Sequence, residues 1–241
     1  MTAATRQQAA TPPSDTTGGT PAGRLLAIGG TAAVAASVVV VGVLDAWTLD
    51  WPRSPVTRTI SEYALGPLAV PFHIAVLLLA AGSVAVLVAL VRAGLTGGRS
   101  GGVIAVALWS IGLTMVVLFQ KHDWSVGPSP SGYVHQLSSL TAFVSLPIGG
   151  VLLTRPWHRD GRWAGRVRPA RVMALLSLLW FPLIIAALLI AAFTGVSWWH
   201  LVPLGLTERL LTITEVVVVL LLGRWAMAAH PAGARPELTT P

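Results

Sequence analysis

Residues 68–93 read LAVPFHIAVLLLAAGSVAVLVALVRA, an almost wholly apolar stretch that decides the fold of this chain. The core of a bilayer is about 30 Å thick, and about twenty mostly apolar residues cross it as an α-helix. A segment in lipid must satisfy its own backbone hydrogen bonds, so such a run forms a helix whatever its valine content. Five further runs have the same character: 24–46, 102–119, 132–154, 170–194 and 206–229. The sequence therefore predicts an all-α fold, a polytopic transmembrane six-helix bundle.

The composition agrees with a membrane protein and excludes several other classes. Hydrophobic residues make up 54% of the 241 residues and charged residues only 10%. The spans and their short connections occupy residues 24–229, which leaves no room for a separate soluble domain. The formal charge of +7 comes from basic residues beside the spans, where Arg and Lys set orientation and meet anionic lipid. The expected partner is the lipid bilayer, not nucleic acid, and the absence of Cys excludes disulfides and thiolate chemistry.

The distribution of Arg and Lys predicts the topology. Twelve of the 16 basic residues lie in the head, the tail and the connections after the second and fourth spans. Because cytoplasmic segments carry the excess of Arg and Lys, both termini are predicted to be cytoplasmic. Residues 1–23 are then a disordered cytoplasmic tail rich in Thr, Ala, Pro and Gly, and residues 230–241 are a second tail. The strong excess of Arg over Lys suggests GC-rich coding, so the bacterial plasma membrane is the expected location.

Dispersed His and Asp residues near the outward connections form a candidate metal site. His73, Asp123 and His135 are possible ligands, with His122 as a substitute for Asp123 and His200 in reserve. Neutral imidazoles and a carboxylate are ligands that zinc accepts, and an open position would hold an acidified water. No His pair has the spacing of a helical zinc motif. The alternative interpretation is that these His residues lie at the membrane interface and form hydrogen bonds.

The last span carries the most informative charged residues. Glu208, Thr212 and Glu215 follow at i, i+4 and i+7 on one helical face. At 1.5 Å per residue Glu215 lies about 13 Å along the span, where a carboxylate is costly unless it is protonated or paired. One interpretation is a protonated side chain bonded to a Ser or Thr of a neighbouring helix. The other is a proton relay or base at the foot of an outward-facing cavity, with Glu208 and Arg209 at its rim.

Three short motifs carry a resemblance to a known family. They are the loop Ser61-Glu62-Tyr63-Ala64-Leu65-Gly66-Pro67, the Asp123 loop followed by Gly132 and His135, and the helix entry Gly205-Leu206-Thr207-Glu208-Arg209. With the six spans, they resemble the bacterial membrane family called domain of unknown function 998, over residues 24–229. The resemblance implies a six-helix integral membrane protein without an assigned activity. It also implies a shared outward-facing cluster of binding residues: Ser61, Glu62, Asp123, His135, Glu208 and Arg209.

Three functional hypotheses follow from these residues. The first is an outward-facing polar pocket that binds a lipid or small amphiphile, with Arg209 pairing an anionic headgroup. The second is a zinc-dependent membrane lipid hydrolase, with the three metal candidates as ligands and Glu62 or Glu208 as base. The third is proton-coupled transport, for which Glu215 is the evidence. The pocket is expected to be lined by Glu62, His73, Asp123, His135, Glu208, Arg209 and Glu215, and the candidate catalytic residues are Glu62, Glu208 and Glu215.

Overall fold

A computed structural model describes residues 19–50, 56–123, 125–196 and 201–230, and within these ranges every regular element is a helix. Six helical segments are long and apolar enough to cross a membrane, which confirms the predicted all-α, six-span fold. Five of them are single helices, and the fifth in chain order is formed by two helices in succession. The elements are α1 (Pro21–Trp47), a short 3-10 helix (Ile60–Leu65), α2 (Ala69–Arg92), α3 (Gly101–Leu118), α4 (Pro130–Thr154), α5 (Ala164–Leu178), α6 (Trp180–Thr194) and α7 (Leu204–Ala229).

Polar caps set the first residues of α1 and α4. The side chain of Thr20 accepts a hydrogen bond from a backbone N–H of the first turn of α1, and Ser129 does the same for α4. Each cap is followed by a proline, which fits the first helical position because its missing N–H has no partner there. The helices therefore begin at Pro21 and Pro130, ahead of the predicted starts at residues 24 and 132, because a cap and first turn need no apolar side chains.

The fifth span differs most from its prediction. Helix α5 begins at Ala164, six residues before the predicted start at residue 170, so Arg166 and Arg168 lie within the helix. The span is then interrupted at Leu179, between α5 and α6, a point called here the bend. Pro182 accounts for the bend, because a proline lacks the N–H that would bond the carbonyl four residues earlier and its ring presses on that carbonyl.

The helices close a ring that includes α7. Neighbours pack in the order α1, α2, α3, α4, α5, α7 and back to α1, and α7 also contacts α2 and α4. Helix α6 continues the fifth span from α5. Helices α1 and α2 approach most closely at Gly30 and Gly82, where a Cβ on either residue would stand within 2.7 Å of the other's carbonyl oxygen. Close approach through small residues is how helices associate in lipid, where apolar side chains gain nothing by leaving it.

Both ends of the described chain meet at one end of the bundle, called here the terminal end. His230 is fully buried; its Nδ1 accepts from the backbone N–H of Thr20 at 3.0 Å and its Nε2 donates to the carbonyl of Ala89 at 2.9 Å. It therefore ties the start of α1 and the end of α2 to the end of α7. Residues 1–18 and 231–241, most of the two predicted tails, lie outside the described residues, and the cytoplasmic side of the terminal end stays a prediction.

Candidate functional site

The opposite end of the bundle, called here the polar end, is organised around an ion pair between α1 and α7. Arg209 donates from Nε to Asp45 Oδ2 at 3.0 Å and from Nη2 to Asp45 Oδ1 at 2.6 Å. This two-bond geometry is the arrangement that a planar guanidinium and a carboxylate favour. The remaining nitrogen of Arg209 donates to the carbonyls of Arg58 at 2.6 Å and Gly205 at 3.0 Å. The guanidinium is thus directed at partners within the protein.

Tyr63 of the 3-10 helix extends this pair into a buried network. Its hydroxyl donates to Asp45 Oδ1 at 2.7 Å and lies 2.9 Å from Thr48 Oγ1. Arg58 donates to the Tyr63 hydroxyl at 3.1 Å and to Thr48 Oγ1, and its guanidinium lies 4.9 Å from the centre of the Tyr63 ring. Burial raises the pKa of the Tyr63 hydroxyl, and its hydrogen bond to Asp45 acts in the same direction. The neutral phenol is therefore the form that this network holds.

Glu208 binds the start of the 3-10 helix. Its Oε2 accepts from the backbone N–H of Ile60 at 2.7 Å. Lys121, which follows α3, donates to Thr59 Oγ1 at 2.6 Å and to Ser61 Oγ at 2.9 Å, and its charge acts on Glu208. The connection after α1, the residues just after α3 and the start of α7 therefore meet at the polar end, although they are distant in the sequence.

Glu62 serves the local structure of the 3-10 helix. Its Oε1 accepts from the backbone N–H of Thr59 at 3.4 Å and from its hydroxyl at 3.2 Å, as part of a capping box. A capping box satisfies backbone donors at a helix start that would otherwise be left unbonded. Of the residues carried over from the family motif, Ser61, Glu208 and Arg209 are near one another, and Glu62 is directed at its own helix start.

A cavity of about 330 Å³ lies beneath this polar end, between α1, α2, α3, α4 and α7. Most of its lining is apolar, and its charged residues, Asp45, Glu208 and Arg209, belong to the polar end. On α7 the lining runs from Glu208 to Leu220, about 18 Å at 1.5 Å per residue. The other lining residues are Ser37, Val38, Val41, Gly42, Ile60, Ser61, Phe72, Val76, Leu79, Trp109, Leu113, Val116, Ser139, Ala142, Phe143, Thr212, Ile213, Val216 and Val217. The arrangement is a long apolar space with charged side chains at one end, called here the mouth.

The metal candidates are not gathered at this cavity. His135 Nδ1 donates to the carbonyl of Phe119 at 2.9 Å, just past the end of α3, while its Nε2 is buried without a partner in the described structure. His73 lies on α2 beside the Phe72 ring. Asp123 is exposed and accepts from the backbone N–H and hydroxyl of Ser125, hydrogen bonds that hold its pKa below the usual value.

These positions leave the zinc site a prediction. Within the described ranges, no group of three or more His, Cys, Asp or Glu side chains is placed to hold a metal ion. His122 is also buried; its Nδ1 accepts from the backbone N–H of Ser129 at 3.0 Å, and its ring packs edge-on against Tyr133. His200, the reserve ligand, lies outside the described residues.

Glu215 is fully buried but lies outside the cavity lining. Its Oε1 accepts from Ser177 Oγ of α5 at 3.5 Å, and its Oε2 has no partner in the described part of the chain. The stripe predicted from the sequence therefore divides: Glu208 and Thr212 line the cavity, and Glu215 faces α5.

Sequence reasoning did not single out Asp45, Arg58, Tyr63 or Lys121 as site residues. Asp45 had one available signal, since it is an acid within the last turn of an apolar span, where a charge needs a partner. Its partner Arg209 is 164 positions away in the sequence, and only the closure of the ring brings the two together. The other three residues gave no local pattern.

One comparison with known proteins gives a match. A family model described as "Protein of unknown function (DUF998)" matches residues 31–225. No curated protein and no solved structure matches the chain.

Proposed function

The chain belongs to the DUF998 family, as its three motifs predicted, and because this family has no assigned activity we propose from the geometry that the protein binds a single-chain amphiphile. The tail of the amphiphile lies in the cavity among α1, α2, α3, α4 and α7, and its head lies at the polar end. The observation that carries the proposal is the division of the cavity into a long apolar part and a charged mouth.

The dimensions suit one hydrocarbon chain. The cavity follows α7 for about 18 Å, close to the depth of one leaflet of a bilayer core about 30 Å thick. Each methylene moved from water into such a space contributes about 0.8 kcal/mol, so tail length is expected to govern affinity when the ligand is supplied from water. Trp109 and Phe72 give the cavity rigid aromatic walls, a common feature of sites that bind small apolar ligands.

The mouth favours an uncharged or zwitterionic head over an anionic one. The guanidinium of Arg209 is engaged by Asp45 and two backbone carbonyls, and the second carboxylate at the mouth belongs to Glu208. A lone anionic headgroup would have to displace Asp45 and would meet Glu208, and like charges close together are unfavourable. Lys121 and Arg58 are also at the polar end, but they donate to hydroxyl groups of the protein and are absent from the cavity lining. Hydroxyl groups can donate to these carboxylates without such a conflict. The proposed head therefore differs from the anionic headgroup that the sequence led us to expect at Arg209.

Binding is tested with a plug for the cavity and a matched control. Gly42 lines the cavity, and a Cβ at this position would meet open space, so Gly42→Leu places an apolar side chain in the cavity without a backbone clash. Gly29 is on the same helix, also opens on free space and is absent from the cavity lining. Gly29→Leu therefore makes the same chemical change outside the site.

The assay is native mass spectrometry of the purified protein with 1-monomyristoylglycerol, and with myristate as its anionic counterpart. We expect one monoacylglycerol bound per chain in the wild type and in Gly29→Leu, little or none in Gly42→Leu, and weaker binding of myristate throughout. Equal binding to the wild type and Gly42→Leu would refute the cavity as the site. Tighter binding of myristate would refute the proposed choice of head.

A further inference from the structure

Glu215 lies at the edge of the cavity-facing side of α7, towards α5, and is absent from the cavity lining. At 3.6 residues per turn it is about 20° around the helix from Glu208 and about 100° from Val216, both of which line the cavity. Glu215 faces α5 through Ser177, and Val218 on the same side lies beside Gly150 of α4. The carboxyl group therefore lies within the packed bundle, about 16 Å along α7 from its first residue.

The surroundings of Glu215 do not compensate a negative charge. The side chain has no exposed surface, one weak hydrogen bond from Ser177 at 3.5 Å, and one oxygen without a partner in the described structure. An ionised carboxylate in the hydrocarbon region needs a paired cation or strong donors. The neutral acid needs only the modest hydrogen bonding that this position offers.

The charged and titratable groups on the helices around Glu215 lie well away from it along those helices. Arg171 of α5 is six residues from Ser177 towards the terminal end, and Arg224 of α7 is nine residues from Glu215 in the same direction. At 1.5 Å per residue these separations are about 9 Å and about 14 Å. The groups on the polar side are Glu208 and Arg209 of α7, engaged at the mouth of the cavity, and His135 at the start of α4.

The bend in the fifth span lies beside this carboxyl group. Ser177 is buried, whereas Leu179 at the bend, two residues further, is 65% exposed. Pro182 leaves the carbonyl of Leu178 without its usual helical donor, and α6 continues the span beyond the bend. The bend therefore lies two residues from Ser177, the hydrogen-bond partner of Glu215, and its exposed side faces lipid at the middle of the span.

We propose that Glu215 is a proton-binding site within the membrane, distinct from the amphiphile cavity, and that a lipid-soluble reagent reaches it at the bend between α5 and α6. Polar groups inside membrane spans often mark proton pathways, and irregular backbone at membrane depth is found where it is buried in protein or lines a water-filled cavity. The proposal does not depend on the amphiphile site, because Glu215 is not among the residues that line the cavity.

Dicyclohexylcarbodiimide tests this proposal, because it enters lipid and adds to protonated carboxyl groups. The acid adds across one C=N bond, its proton moves to nitrogen, and rearrangement leaves a stable N-acylurea with the whole reagent attached. Mass spectrometry of the intact protein and its peptides locates the adduct. The protein is the full chain in lipid nanodiscs, as wild type, Glu215→Gln and the matched control Glu62→Gln.

We expect one adduct on Glu215 in the wild type and in Glu62→Gln, and no adduct at position 215 in Glu215→Gln. Its rate should fall about tenfold for each pH unit above the point of half-ionisation, because only the protonated form reacts. Replacing choline by Na⁺ at constant ionic strength should leave the rate unchanged. No adduct at position 215 at any pH, or a rate independent of pH, would refute a site that exchanges protons. Protection by Na⁺ would refute a proton site in favour of a cation site.

The route is tested with Pro182→Ala, which restores a backbone donor to the carbonyl of Leu178. We expect labelling of Glu215 to slow several-fold with the same pH profile. Thermal unfolding of the variant verifies that the bundle is intact. An unchanged labelling rate in a folded variant would refute the bend as the route.

Discussion

Replacing Asp45 with Ala should destabilise the bundle more than the loss of any other surface-accessible acid. Asp45 accepts three hydrogen bonds, two from Arg209 at 3.0 and 2.6 Å and one from Tyr63 at 2.7 Å. Removing one partner of a buried ion pair typically costs about 3–5 kcal/mol, because the other charge is left without compensation. The side chains of Arg209 and Asp45 are 12% and 27% exposed, so solvent screens part of this interaction and we expect a loss of about 2–4 kcal/mol.

A double-mutant cycle isolates the pair from other effects of the substitution. Asp45→Ala, Arg209→Ala and the double variant are unfolded by titration with sodium dodecyl sulfate in mixed micelles, followed by circular dichroism. The coupling free energy should be about 1.5–3 kcal/mol in favour of the native pair, near the top of the range for residues in direct contact. Asp123→Ala is the matched control: Asp123 is exposed and its hydrogen bonds go to Ser125, so its effect should stay within about 0.5 kcal/mol. A coupling free energy near zero would refute the role of the ion pair in closing the ring.

Three further predictions concern stability. The hydroxyl of Tyr63 has a raised pKa, so its neutral form stabilises the folded protein. This contribution to the free energy of unfolding should be complete below the ordinary tyrosine pKa of about 10 and should be lost as pH rises through the raised value. Unfolding measured from about pH 8 to about pH 11.5 would show the decline. His230→Ala should cost about 2–4 kcal/mol, because it leaves buried backbone groups without partners and opens a cavity, as measured by the same unfolding titration. Gly82→Ala should cost about 1–3 kcal/mol by overpacking against Gly30, measured in the same way.

Each of these predictions has a control. Tyr63→Phe lacks the titrating hydroxyl, so its free energy of unfolding should not show the part of the fall with pH that is attributed to Tyr63. An equal fall in both proteins would mean that other groups cause it. His230→Gln keeps a donor and an acceptor and should recover part of the loss, whereas equal losses would point to volume alone. Gly29→Ala faces open space and should be neutral or slightly stabilising, so an equal cost at both glycines would contradict the packing argument.

The spans were predictable because lipid leaves the backbone little choice. A run of about twenty apolar residues must become a helix there, and the six predicted runs coincide with the six helical segments. The boundaries were less accurate where polar residues belong to a helix. Thr20 and Ser129 cap their helices from outside the apolar run, and the Arg-rich first turns of α5 extend beyond its apolar part.

The site was predictable only in fragments. Glu208 and Arg209 stand out as charges at the start of a span, and the structure places both at the cavity mouth. Asp45 could not be assigned to Arg209, because their contact depends on α1 and α7 meeting at the closure of the ring. The depth of Glu215 follows from the helical rise, but the side on which it is buried depends on where α5 packs. Polar residues at i, i+4 and i+7 show which side chains share a helical face, but they do not show which helix packs against that face.

Lipid that stays bound through purification tests the central claim most directly. Wild type, Gly42→Leu and Gly29→Leu would be purified from the same membranes in mild detergent, and the lipid extracted per mole of protein would be measured by liquid chromatography and mass spectrometry. The account predicts close to one single-chain, uncharged or zwitterionic amphiphile per chain in the wild type and in Gly29→Leu, and its loss in Gly42→Leu. Equal lipid in all three proteins, or only two-chain anionic lipid, would contradict it.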